Sequence, residues 1–110
     1  MDELSPSEHF LIWRRREGLS QKQAALPLGL SQTKLIRIER EDIKDYNGEK
    51  PFLGDLCSHE KCFIFRKRSG WTIDRLADEI GVSRYWCNLM ELGKAPVERL
   101  VDYWAENEGS

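Results

Sequence analysis

The sequence predicts an all-α protein made of two tandem small helical units, and three observations carry that expectation. No segment of the 110-residue chain alternates apolar and polar residues with the period-two rhythm of a strand. Hydroxyl residues open, and glycines close, a succession of helix-length stretches. The chain also repeats itself. Sliding it by 52 residues aligns "IWRRREGLSQKQAALPLGLSQTKLIRIE" with "IFRKRSGWTIDRLADEIGVSRYWCNLME" without a gap, with identities at Ile12/Ile64, Arg14/Arg66, Arg16/Arg68, Gly18/Gly70, Ala25/Ala77, Gly29/Gly81, Ser31/Ser83 and Glu39/Glu91.

Each helix has its own punctuation. In "SPSE", Ser5 is placed to cap, Pro6 to occupy the first helical position and Glu8 to complete a capping box, so a helix is expected to about Glu17, with Gly18 as its left-handed end. Ser20 with Gln23 forms a second box, opening a short helix to about Leu28. Gly29 ends it, and Ser31 caps a third helix through about Arg40. Pro27 falls late in the second helix, where it removes an amide donor and predicts a kinked or shortened helix.

The second half uses the same grammar. Ser58 is expected to cap a helix ending at Gly70, Thr72 one ending at Gly81, and Ser83 one ending near Gly93. Behind Pro96, Val97, Leu100, Val101 and Trp104 fall at i, i+3, i+4 and i+7, a single apolar stripe on a further helix. The first unit's counterpart, "PFLGDL", is shorter and weakened by Gly54. The connector "EDIKDYNGEK" is polar, carries the turn signal Asn47-Gly48 and is expected to expose its backbone. The units are therefore expected at residues 1–56 and 57–110. Each is small enough to be marginal alone and to lean on the other or on a second copy.

Composition narrows the functional classes. Hydrophobic residues make up 40% and charged residues 33%, a balance that suits a soluble globular protein. No apolar run approaches the ~18 residues of a membrane span, and the start "MDEL" lacks a signal peptide's basic region. Three cysteines, an odd number with nothing secretory nearby, suit a reducing compartment, so a cytoplasmic location is expected. The net charge of -2 speaks against general polyanion binding, but its distribution is uneven. Residues 10–40 hold seven basic residues against two acidic, whereas residues 62–94 hold six against four.

Two short helices joined through Gly-apolar-Ser make a helix-turn-helix. The stretches "LSQKQAALPLGLSQTKLIRIER" and "WTIDRLADEIGVSRYWCNLMELGK" resemble the lambda-repressor and Cro type of DNA-binding domain, the XRE family. The resemblance covers about residues 5–56 and again 58–107. It implies that the third helix of each unit enters the major groove of double-stranded DNA, its early residues reading base edges. Carried onto the first copy, the candidates are Gln32, Thr33, Lys34, Arg37 and Arg40, with Gln21 behind them. In that family a glutamine at the place of Gln21 buttresses one at the place of Gln32, which reads adenine by donating to N7 and accepting from N6. The resemblance also implies two structural ion pairs, Arg14 with Glu39 and Arg66 with Glu91. Leu30, Leu35 and Ile38 are expected in the core.

The second copy departs where base reading would occur. Ile73 replaces the helix-starting glutamine. Arg84 and Asn88 suit bases and Tyr85 a phosphate, while Trp86 and Leu89 suit a protein interface. The sequence leaves both uses open, as it does homodimerisation. Trp71 and Trp104 are expected in the core in either case.

Other chemistry finds little support. In "CSHEKC", Cys57, His59 and Cys62 lack a fourth ligand at zinc spacing. With Ser58 as cap, Cys57 and Cys62 instead occupy the positions of a hydrophobic staple. There is no phosphate loop, paired catalytic carboxylate frame or Cys/His/Asn constellation, so neither enzymatic activity nor a cofactor or metal is expected. The favoured expectation is a sequence-specific transcription regulator of bacterial or phage type. Its rival is a protein-binding antiactivator or antitoxin on the same scaffold.

Overall fold

The computed structural model describes residues 3–43 and 45–108. Among them are seven helices and no strand: α1 (Pro6–Glu17), α2 (Gln21–Leu28), α3 (Gln32–Glu39), α4 (Ser58–Ser69), α5 (Ile73–Ile80), α6 (Arg84–Glu91) and α7 (Glu98–Glu108). The chain divides into two compact units, Met1–Gly54 and Asp55–Ser110.

In the first unit the caps act as hydrogen-bond terminators. Ser5 accepts from the Glu8 amide at 3.2 Å while its own N–H reaches the Glu8 carboxylate at 2.9 Å. Ser20 and Gln23 repeat the exchange at 3.1 and 2.9 Å. Helix α1 packs on α3, and α3 on α2. Phe10, Ala24, Ala25, Leu35 and Ile38 form the buried centre, with Trp13, Leu28 and Leu30 half-buried around it.

Pro27 neither shortens nor displaces the end of its helix. Helix α2 has the eight residues of α5 and ends at Gly29 with φ 69°, as α5 ends at Gly81 with φ 75°. The bond that Pro27 cannot make would have gone to the carbonyl of Gln23, an exposed residue that water can serve. The connector also departs from expectation, because Tyr46 returns to the core. Its ring meets Phe10 edge-on at 5.5 Å, and Ile43 packs beside it. No helix forms over residues 51–56; Leu53 is buried from an extended segment and Gly54 takes φ 66°.

In the second unit α7 occupies the sequence position of that extended segment and packs on α4 and α5. Leu76, Ala77, Cys87, Met90, Leu100 and Trp104 form its centre, with Trp71 half-buried against it. Tilted and edge-on contacts link Trp104 to Phe65 at 6.0 Å, Trp71 at 5.8 Å and Tyr103 at 5.1 Å.

The start of α4 corrects the sequence reading. Its cap is Cys57, not Ser58, and the Cys57 amide donates to the Glu60 carboxylate at 2.9 Å. Cys57 is exposed while Cys62 is buried in the core, so the two do not form the expected staple.

Candidate nucleic-acid interface

Arginine and glutamate from opposite ends of each unit's motif meet in an ion pair, which in the first unit has two points of contact. Arg14 donates through Nε to Glu39 Oε2 at 2.9 Å and through Nη2 to Oε1 at 3.0 Å, and its Nη1 caps the Leu19 carbonyl at 3.2 Å. The second unit repeats this. Arg66 Nε donates to Glu91 Oε2 at 2.8 Å and Nη1 to the Trp71 carbonyl at 3.0 Å. The glutamate side chains are 3% and 1% exposed, so each pair ties the last turn of the first helix to the last turn of the third. The bidentate charge-assisted geometry of Arg14 and Glu39 fixes orientation as well as adding energy.

Gln21 joins this clamp. Its Nε2 donates to Glu39 Oε1 at 3.0 Å. That amide group is thus committed to the clamp, in place of the expected contact with Gln32. The position of Gln21 at the start of α2, directly facing the end of α3, makes it part of the support for the third helix. Ile73 at the same place in the second unit packs against the core instead.

The outer side of α2 and α3 presents Lys22, Gln32, Thr33, Lys34, Arg37 and, just past the helix, Arg40, all exposed. The sole acid between residues 21 and 40 is Glu39, which the clamp buries. The surface of these two helices is therefore cationic without an exposed carboxylate, followed at its edge by exposed Glu41 and Asp42. Burial of one glutamate turns a mixed sequence into a single-sign face. Lys34 lies over the Tyr46 ring at 5.8 Å, with Lys50 at 5.9 Å from the same ring. Neither Lys22 nor Tyr46 stood among the sequence-derived site residues. The signals for them were the complete lack of acids in α2 and the lone aromatic in a polar connector.

The matching surface of the second unit differs. Arg84 is placed 3.6 Å from Asp74, both largely exposed. Arg75 covers the Trp71 ring at 4.1 Å. Asp74, Asp78 and Glu79 are exposed along α5. On α6, Tyr85 is 73% and Trp86 44% exposed, Asn88 is exposed and Leu89 half-buried. This face is amphipathic and carries no basic excess.

Comparison of the chain with protein-family models, with curated proteins and with solved structures finds no match. The residues themselves carry the functional argument. The "CSHEKC" residues separate: Cys57 is exposed, Cys62 belongs to the core, and the His59 ring fills the space that a side chain at Gly93 would enter. Among the described residues no three His, Cys, Asp or Glu side chains gather as a metal site. No helix among them is long and apolar enough to cross a membrane.

Proposed function

We propose that the first unit binds duplex DNA through the α2 and α3 face, with α3 in the major groove, and that the protein is a sequence-specific transcription regulator of the XRE type. The observation that carries this reading is the cationic face of Lys22, Lys34, Arg37 and Arg40, freed of exposed carboxylate between residues 21 and 39 by the burial of Glu39. Phosphates supply the attraction and base edges the discrimination. Gln32 can pair with adenine in two-point fashion, and Arg37 or Lys34 with guanine O6 and N7. Helix α3 is short, but its placement is stiffened at its far end by the Arg14, Gln21 and Glu39 network.

The second unit fits a protein partner better than a second DNA segment. Tyr85 and Trp86 are exposed on α6, and the flanking α5 is acidic, which opposes phosphate. A regulator that reads through one unit and associates through the other, with a second copy or with another protein, accounts for the unequal faces of two repeats. The rival reading, an antiactivator or antitoxin that binds only protein, draws on the same α6 face.

Fluorescence anisotropy of a labelled duplex at rising salt tests the proposal. With about three or four phosphate-facing cations, log affinity is expected to fall with log salt at a slope of roughly -3. A folded chain with no duplex affinity even at low salt would leave the protein-binding reading in its place.

A further inference from the structure

At the 52-residue offset the two repeats reverse the chemistry of one surface. Lys22 stands where the second unit has Asp74, Leu26 where it has Asp78, and Lys34 where it has Trp86, and all six are exposed. Equivalent helices turn equivalent positions outward, so the α2 and α3 face and the α5 and α6 face share one layout. The first carries Lys22, Lys34, Arg37 and Arg40, with Leu26 86% exposed on α2. The second carries Asp74, Asp78 and Glu79 on α5, and Tyr85 and Trp86 on α6.

The basic residues of the second face are already engaged. Arg84 lies 3.6 Å from Asp74, and Arg75 covers the Trp71 ring at 4.1 Å. Asp78 and Glu79, toward the other end of α5, therefore set the sign of this face. Patches of opposite charge steer association and fix its register. The aromatic pair adds a second complementarity, because an indole or phenol ring attracts a Lys or Arg cation over its face. It also offers Leu26 apolar surface to cover, which phosphate does not.

We propose that the α5 and α6 face of one copy docks on the α2 and α3 face of a second copy. Asp78 and Glu79 pair with cations of α2 and α3, and Tyr85 and Trp86 receive Leu26 and a further cation. The occupied face is the one assigned to duplex, so self-association and DNA binding exclude each other. In that respect the inference rests on the function proposed above, and it names the second unit's partner. A regulator built this way limits its own DNA binding as its concentration rises.

Sedimentation equilibrium of the full chain without DNA tests it. The average mass is expected to rise with concentration at low salt and to return toward the monomer at ~1 M salt, where the Debye length is about 3 Å. Two charge-reversed chains, one with Asp78→Lys and Glu79→Lys and the other with Lys22→Glu and Lys34→Glu, are each expected to stay monomeric alone and to associate when mixed. All four substituted residues are exposed, and an unchanged helical circular dichroism spectrum checks that both chains fold. A symmetric pairing of α6 on α6 uses the same patch of both copies, so association of the Lys22→Glu, Lys34→Glu chain by itself would overturn the proposal. So would a monomeric wild-type chain at sub-millimolar concentration and low salt, or a mixture that stays monomeric. A duplex that the chain binds is expected to disperse the assemblies, and assemblies that persist with duplex bound would also overturn it. If the chain binds no duplex, the function proposed above falls while the mixing result still decides the self-association.

Discussion

Gln21 and Glu39 are joined by a side-chain hydrogen bond of 3.0 Å, and that bond assigns Gln21 to the support of the third helix. A residue that buttresses through a buried carboxylate contributes to stability, whereas the proposed DNA contact assigns the outer face to recognition. Gln21→Ala is therefore expected to cost about 1 kcal/mol of stability in the first unit and to leave base preference unchanged. Gln32→Ala is expected to do the reverse, losing ~1 to 3 kcal/mol of discrimination at one base pair with the unfolding midpoint unmoved. Denaturation and competition binding on both variants check the pair together.

Arg14 is 25% exposed and Arg66 14%, over glutamates that are nearly sequestered. Removing either arginine takes the cationic partner from a buried carboxylate. Arg14 is the more exposed of the two and Gln21 still serves Glu39, so Arg14→Ala is expected to cost less than Arg66→Ala. The fully buried limit is about 3 to 5 kcal/mol, and the partial exposure of both arginines sets the expected losses below it. Denaturation followed through Trp13 for the first unit and Trp71 for the second separates the two losses. Equal losses would contradict the supporting role of Gln21.

Glu41 and Gly93 stand at equivalent positions just past the third helix of each unit, both left-handed, with φ 66° and 77°. A side chain is strained there, and glycine is not. Glu41→Gly is expected to stabilise the first unit by about 1 kcal/mol. Gly93→Ala is expected to destabilise the second, since the added Cβ would also meet the His59 ring at 2.8 to 3.0 Å. Thermal unfolding of the two variants gives opposite signs.

Much of this fold could be read from residue types, and the exceptions have physical causes. Ser58 looked like the cap because serine outranks cysteine as a capping residue. The internal repeat was the better guide, since the 52-residue offset carries Ser5 onto Cys57 and Glu8 onto Glu60. Pro27 argued for a damaged helix, but the carbonyl it deprives belongs to a residue open to water. Tyr46 lay hidden in a polar connector because one aromatic anchors a loop without any periodicity. For the site, the candidates on α3 came from the resemblance to the lambda-repressor type, while helical spacing marked Leu35 and Ile38 as inward. The partner of Gln21 followed from neither, because a carboxamide can reach either Gln32 or Glu39, and two bonds from Arg14 had first to fix the glutamate.

The thiols offer an independent probe of the second unit. Burial, and then the nearby Glu91 carboxylate, pushes the Cys62 thiol up to about 12. The same causes, opposed by Arg66, push Cys87 up to about 11. At mildly alkaline pH both stay protonated and poorly nucleophilic, whereas Cys57 is exposed. Labelling of the native chain with a thiol reagent is expected to show one fast thiol and two that react only as the unit opens. Three fast thiols would contradict the packing of α4 against α6.

The most direct measurement selects binding sites from a random duplex pool at near-physiological salt, with the wild-type chain and Gln32→Ala side by side. The account predicts one enriched motif, single or as an inverted repeat, that loses preference at one position in the variant. No enrichment by the folded wild-type chain, or an identical motif from both proteins, would contradict the assignment of α3 as the reading helix.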